Sequence, residues 1–174
     1  RWTHAWDGGT LRELFVNGER RSRSRFPKAG WLRIAEALPD KRSGFTTQEE
    51  LPRLGASAEL LFLHDWSISR IPIASVEGRL LKTAGPIGFP APHYVIDFYE
   101  PHPRFCLEND AVFLTEKGTW CHDAAARRLI YLPRDGETMA GTVFEIPVAE
   151  KLLTVTGTRD VRFSGILFEH CRWD

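Results

Sequence analysis

The sequence predicts an all-β fold: a small β-sandwich or distorted barrel with one or two short helices, flanked by a fragment of β-helix. Three observations predict it. The strongest apolar run, Glu59-Leu60-Leu61-Phe62-Leu63-His64, is too short for a helix and suits a buried strand. Turn signals such as Asn17-Gly18 and Glu77-Gly78 punctuate the chain. The C-terminal part breaks into very short apolar strands separated by small-residue corners, which is how one coil of a parallel β-helix reads.

Taken in order, residues 11–25 form a hairpin. Asn17-Gly18 suits a two-residue type I′ turn, because both central positions need positive φ. The return run carries Arg20, Arg21, Arg23 and Arg25, and Phe26-Pro27 ends it. Trp31–Ile34 reads as a short strand. Thr47 with Glu50 resembles a capping box, which predicts a short helix ending near Leu54, with Pro52 in or near its first turn. The run from Trp66 to Val76 alternates loosely, and Pro72 within it marks a bend or an edge. Residues 79–82 form the return strand after Glu77-Gly78. Between 84 and 105 lie Pro86, Pro90, Pro92, Pro101 and Pro103, so this stretch is loop and extended chain, with a strand at Tyr94–Tyr99. Residues 106–114 read as a second short helix. Residues 118–123 and 127–133 form a hairpin. Leu152–Thr158, Val161–Phe163 and Gly165–Phe168 are the short strands of the coil. A single coil needs a neighbour above and below to cover its apolar face.

At 174 residues the chain has room for one domain with a core of its own. Leu, Ile, Val and Phe number 46, about 26%, above the ~20% below which disorder is expected. Lys plus Arg equals Asp plus Glu, which argues against nucleic acid or an anionic membrane as partner. No apolar stretch approaches the ~18 residues of a membrane span. The only methionine is Met139 and the chain opens Arg1-Trp2-Thr3 without a signal sequence, so it reads as a piece of something longer. The partition expected is residues 1–10 as an incoming β-helix strand, 11–150 as an inserted domain and 151–174 as a coil.

Candidate chemistry is sparse. His64-Asp65-Trp66 ends an apolar strand, where an indole face can stack on a sugar ring while His and Asp bond its hydroxyls. The competing reading packs Trp66 in the core. His93-Tyr94, in the proline-rich loop, is a second candidate binding pair, and Trp31 a further platform. Asp65, Asp97, Glu100, Glu108 and Asp110 offer carboxylates, but no spacing singles out the pair that glycoside hydrolysis needs, so no catalytic residue is assigned. Cys106, Cys121 and Cys171 lack CxxC spacing and read as free thiols, with one disulfide plus a spare thiol as the alternative. Adjacent strand residues face opposite ways, which separates Cys121 from His122. No HxH or HExxH pattern is present, and neither a metal nor a cofactor is expected. The Arg20–Arg25 run could meet an acidic ligand, or cover apolar surface with its heads paired to acids.

The order of these segments resembles a known family. Leu14-Phe15-Val16-Asn17-Gly18 precedes the Arg-rich return and Phe26-Pro27; Phe62-Leu63-His64-Asp65-Trp66 comes with Ser69-Arg70; Glu108-Asn109, Gly118-Thr119-Trp120-Cys121-His122-Asp123, Leu129–Pro133 and Val161–Phe168 follow. Together they look like the domain inserted into the right-handed parallel β-helix of glycoside hydrolases related to family 141, an architecture similar to that of family 120 β-xylosidases. The resemblance implies a parent enzyme acting on plant or microbial polysaccharide, extracellular or periplasmic. It implies an insert that braces the host β-helix and walls its cleft, with catalytic carboxylates on coils outside this sequence. A stand-alone carbohydrate-binding β-sandwich is the alternative. Monomeric behaviour is expected for either, with the host β-helix and carbohydrate as partners.

Overall fold

The computed structural model describes residues 1–89 and 94–172. In chain order its strands are β1 (Trp2–Ala5), β2 (Phe15–Val16), β3 (Glu19–Arg20), β4 (Arg25–Phe26), β5 (Leu32–Ala37), β6 (Gly44–Thr47), β7 (Glu59–Leu63), β8 (Ile68–Glu77), β9 (Leu80–Thr83), β10 (Arg104–Glu108), β11 (Thr119–Asp123), β12 (Arg128–Leu132) and β13 (Phe144–Glu145). The all-β class is therefore observed.

Six of these strands close an antiparallel barrel in the order β10-β5-β6-β9-β8-β7, with β7 returning to β10. Closure removes the exposed edges that an open sheet would present. Strand β8 makes closure possible by serving two partners. Its first half, Ile68–Pro72, pairs with β7, and its second half, from Ile73, pairs with β9 across a register shift between Ile73 and Ser75. Pro72 sits at that handover, which is the bend its position in the sequence predicts. Alternate residues point inward. Leu32, Ile34, Phe45, Leu60, Phe62, Leu81, Phe105 and Leu107 fill the barrel, and Ile87, Ile96 and Phe113 plug it from loops.

Two three-stranded sheets, β1-β12-β11 and β13-β2-β3, form the rest. Between them lies a second core of Leu11, Leu14, Val16, Trp120, Leu129 and Tyr131. The period of two is visible in the β11–β12 hairpin: Trp120, Leu129 and Tyr131 face this core, whereas Cys121 and Ile130 face a smaller cluster with Leu114. The hairpin at Asn17-Gly18 forms as expected, with φ of 52° and 75°. The Asn17 side chain also accepts from the Val143 N–H at 2.9 Å, fastening β13 to the hairpin. Residues 2–5, expected as an incoming strand, are a strand, and it pairs antiparallel with β12.

Four local expectations are corrected. No α-helix occurs among the described residues. Thr47 ends β6, and its hydroxyl donates to the Glu49 and Arg79 carbonyls instead of capping a helix. Residues 106–108 belong to β10, leaving only a 3₁₀ turn at Ala111–Phe113, capped by Asp110. Tyr94–Tyr99 contains no strand, because Ile96 turns inward to plug the barrel. The short strands expected in 151–168 are absent too: this segment is exposed, with no ladder neighbour for its backbone. No helix is long and apolar enough to cross a membrane among the described residues.

The Arg-rich run is not one strand. It leaves β3, threads past Trp120 through bonds from Ser24 N to Trp120 O (2.6 Å) and from Trp120 Nε1 to Arg21 O (2.8 Å), and enters the barrel as β4. Arg21 is buried against Glu19 and Glu137. Arg23 is buried against Glu59 at 2.9 Å and Glu108 at 3.6 Å, with its guanidinium over the Trp120 ring. Of the two readings of this run, the structure supports heads paired to acids. Glu59 and Glu108 stand directly opposite each other on β7 and β10, a repulsive arrangement without the cations. Arg12 reaches Glu59 at 3.2 Å and Arg70 reaches Glu108 at 3.2 Å, completing the cluster. Arg23→Ala should therefore cost about 3–5 kcal/mol in urea unfolding, since it strands buried carboxylates. Arg20→Ala, which removes a largely solvent-exposed head paired with Glu13, should cost about 1 kcal/mol. In amide exchange, Leu60–Leu63 should be among the slowest residues and Val161–Phe168 close to unprotected.

Candidate aromatic binding site

The tip of the β7–β8 hairpin carries the most distinctive surface. The ladder ends at Leu63 and Ile68, and the His64 N–H donates to Ser67 O at 2.9 Å, which throws Asp65 and Trp66 outward. Trp66 is 62% exposed. The reading that packs it in the core is thereby excluded. His64 is half-buried, with Nε2 2.8 Å from Ser69 Oγ and its ring edge-on to Phe62 at 4.7 Å. Burial holds its pKa below the ordinary 6.5, so the ring is neutral at pH 7.

Residues 94–100 lie across this tip. Ile96 anchors them in the barrel, Asp97 pairs with Lys41 at 2.9 Å, and Glu100 pairs with Arg33 and Arg104. Tyr94 stands edge-to-face with Trp66 (5.9 Å) and Phe89 (5.7 Å), and Tyr99 with Trp66 (5.5 Å) and Phe98 (4.8 Å). Phe89, Phe98 and Tyr99 are each about half exposed or more. Edge-to-face packing is favourable in itself, and these rings still keep about half or more of their surface in solvent. A contiguous exposed patch of this kind marks an interaction site. Beside it runs a cleft of ≈ 160 Å³, lined by His64, Asp65, Phe98, Tyr99, Glu100 and Arg104. Ring faces with a hydrogen-bonding rim suit a ligand that is apolar on one face and hydroxylated at its edge.

Gly88 fixes the distance between the two halves. Its φ is +68°, and a Cβ there would lie 2.3 Å from Tyr94 O and 3.1 Å from the His64 ring. Only glycine fits that conformation and that approach.

The structure thus sets Tyr94, read from the sequence as part of a second candidate, against His64, Asp65 and Trp66, read as the first. His93 lies outside the described residues. Phe89, Phe98 and Tyr99 escaped the sequence reading. The signal available for them was an aromatic pair, Phe98-Tyr99, in a stretch rich in turn residues with few core positions. Trp31 is a poorer platform, since the Arg25 guanidinium lies 4.8 Å above its ring.

The carboxylates are committed elsewhere. Asp110 caps the 3₁₀ turn through the Val112 N–H at 2.9 Å and also accepts from the Gly55 N–H. Glu108 belongs to the arginine cluster. Burial pushes Glu100 upward, but hydrogen bonds from Arg33 and Arg104 outweigh it and hold the group below the usual carboxylate range. A glycosidic acid needs the opposite shift. Burial pushes the Cys106 and Cys121 thiols up to about 12, the wrong direction for a nucleophile. Cys121 faces Leu114 and Ile130 while His122 lines a cavity with Asn109 and Glu59. Among the described residues no cluster of His, Cys, Asp or Glu could hold a metal ion.

The sequence matches no protein-family model and no curated protein. Among solved structures the chain is similar to one titled "Glycoside hydrolase", with a TM-score of 0.67 and 22% identity over 87% of this chain. The chain spans 30% of the length of that structure. The likeness is one of fold, and it establishes a fold related to part of a glycoside hydrolase.

Gly88→Ala should displace Tyr94 from Trp66 and shift Trp66 fluorescence, with the barrel still folded by circular dichroism. Because the folded pKa of His64 is depressed, the unfolded chain takes up the proton first as pH falls below 6.5. Stability should fall with pH through the window below 6.5, and His64→Gln should flatten that share of the slope in urea titrations at several pH values.

Proposed function

We propose that this chain is a non-catalytic accessory domain of a carbohydrate-active β-helix enzyme, related to glycoside hydrolases of the family 141 type, and that its aromatic patch contacts the polysaccharide. The observation that carries the reading is the open cluster of Trp66, Tyr94 and Tyr99 with its polar cleft, on a fold similar to 30% of a glycoside hydrolase. Stacked faces supply apolar contact to a sugar ring, and Asp65, Glu100 and Arg104 supply partners for its hydroxyls. The carboxylates near the patch are ion-paired or exposed, which suits binding and positioning over bond cleavage.

A second feature supports the host. Residues 151–168 expose Leu152, Leu153, Val155, Val161, Phe163, Ile166, Leu167 and Phe168. The two ends of this excursion meet: Arg172 N–H donates to Ala149 O at 2.8 Å, and the Arg172 guanidinium pairs with Glu150 at 3.2 Å. A segment that returns to its own start with apolar side chains outward has the form of one coil awaiting neighbours. In this reading the host β-helix is the partner, and the enzyme works on polysaccharide outside the cytoplasm. The same exposed segment disfavours the alternative, a stand-alone binding module.

Calorimetric titration with xylan and fucosylated oligosaccharides tests the reading. Saturable heat that drops at least tenfold in affinity in Trp66→Ala is expected, alongside no turnover of aryl-xylosides or aryl-fucosides by the same chain. Flat traces across the panel, or measurable hydrolysis, would count against it.

A further inference from the structure

A second cavity lies where the barrel meets the paired sheets, about 400 Å³ in volume, walled by Trp6, Thr10, Glu59, Asn109 and His122. Its floor is rigid. Asn109, at φ 64°, donates from Nδ2 to Ser57 O (3.1 Å) and His122 O (3.0 Å), and its Oδ1 accepts from His122 N–H at 2.7 Å. The wall is rigid too. The Trp6 ring stands over Gly8, where a Cβ would meet it at 2.5 Å, and its Nε1 donates to Gly9 O at 2.9 Å.

His122 offers the ring nitrogens that open into this cavity. The residue is 6% exposed, yet neither ring nitrogen has a hydrogen-bond partner among the described residues. His64 and His102, both more exposed, are bonded through theirs. The His122 nitrogens are open to the cavity, where solvent or a ligand can bond them. Here the ring lines an open cavity, so a ligand can complete it.

The surroundings select the ligand's charge. Glu59 is neutralised by Arg12 and Arg23, and Asp7 and Arg127 stand at the rim with opposite signs. Burial and the Arg23 charge both disfavour the imidazolium. An anion would face Glu59 and Asp7; a cation would face Arg127. A neutral imidazole has one donor and one acceptor nitrogen, as a hydroxyl group can both donate and accept.

We propose that this cavity is a second binding site, which holds one neutral sugar ring with its hydroxyls on His122 and an apolar face against Trp6. The choice of a sugar among neutral polyhydroxylated rings rests on the function proposed above, while the site itself rests on the cavity and the unpaired imidazole.

Two-dimensional NMR of the full 174-residue chain tests it, with D-xylose, D-glucose, D-galactose and L-fucose as probes and D-glucuronate and inorganic phosphate as controls. The expected result is saturable shifts of the His122 ring and the Trp6 indole N–H with at least one neutral sugar and with neither control. These should weaken at least tenfold in Trp6→Ala and in Ala124→Trp, a change at an exposed rim position. Shifts at Trp66 alone would overturn the second site and leave the aromatic patch standing. Shifts nowhere would overturn both, and equal or stronger response at His122 to glucuronate or phosphate would overturn the neutral ligand class.

Discussion

The structure depends on how two opposed carboxylates, Glu59 on β7 and Glu108 on β10, are held at the seam where the barrel closes. They are cross-strand neighbours in a largely buried position, and alone they would push the seam apart. Arg23 enters between them from outside the barrel, while Arg12 shares the Glu59 Oε2 and Arg70 the Glu108 Oε2 with it. Each arginine comes from a different part of the chain. Arg12 precedes the first hairpin, Arg23 lies on the crossing between the modules, and Arg70 is on β8. The seam closes only when the paired sheets have delivered their residues, which ties the two cores into one unit. Arg23 over Trp120 extends the tie into the second core.

From this seam the rest of the architecture follows. Strand β7 runs from Glu59 to Leu63 and ends at the hairpin tip, so the element that anchors the ion cluster at one end presents Trp66 at the other. Segment 94–100 is set against that tip by Ile96 in the barrel and by Glu100 paired to Arg33 and Arg104. A floppy loop could not keep five rings edge-to-face. Here each half of the patch is fixed by a buried anchor, and Gly88 allows the halves to meet.

Much of the fold was legible because its signals were local. Asn17-Gly18, Glu77-Gly78 and the alternation in 118–133 depend on neighbours in sequence, and each formed where it was read. The two expected helices failed for a non-local reason. Thr47 and Leu107 each carry a pattern that suits a helix end or a helix, but barrel partners on β5 and β7 claimed them. Closure of the barrel itself was not readable, because the pairing of β10 with β7 joins residues far apart in the chain. The site was half legible. Trp66 stood out at the end of an apolar run, and Tyr94 in a proline-rich loop. Phe89 and Tyr99 join them only through tertiary folding. His122 faces away from Cys121, so its sequence neighbour gives no sign of the cavity that it lines.

The account holds that the barrel and the paired sheets are one cooperative unit, joined through the Arg23–Glu59–Glu108 cluster. Equilibrium unfolding in urea, followed at residue-resolved NMR signals of Trp66, Trp120 and Leu60, tests this directly. Coincident transitions at all three positions are predicted. Separate midpoints for Trp120 and Leu60 would contradict it, and would mean that the two cores fold without the seam.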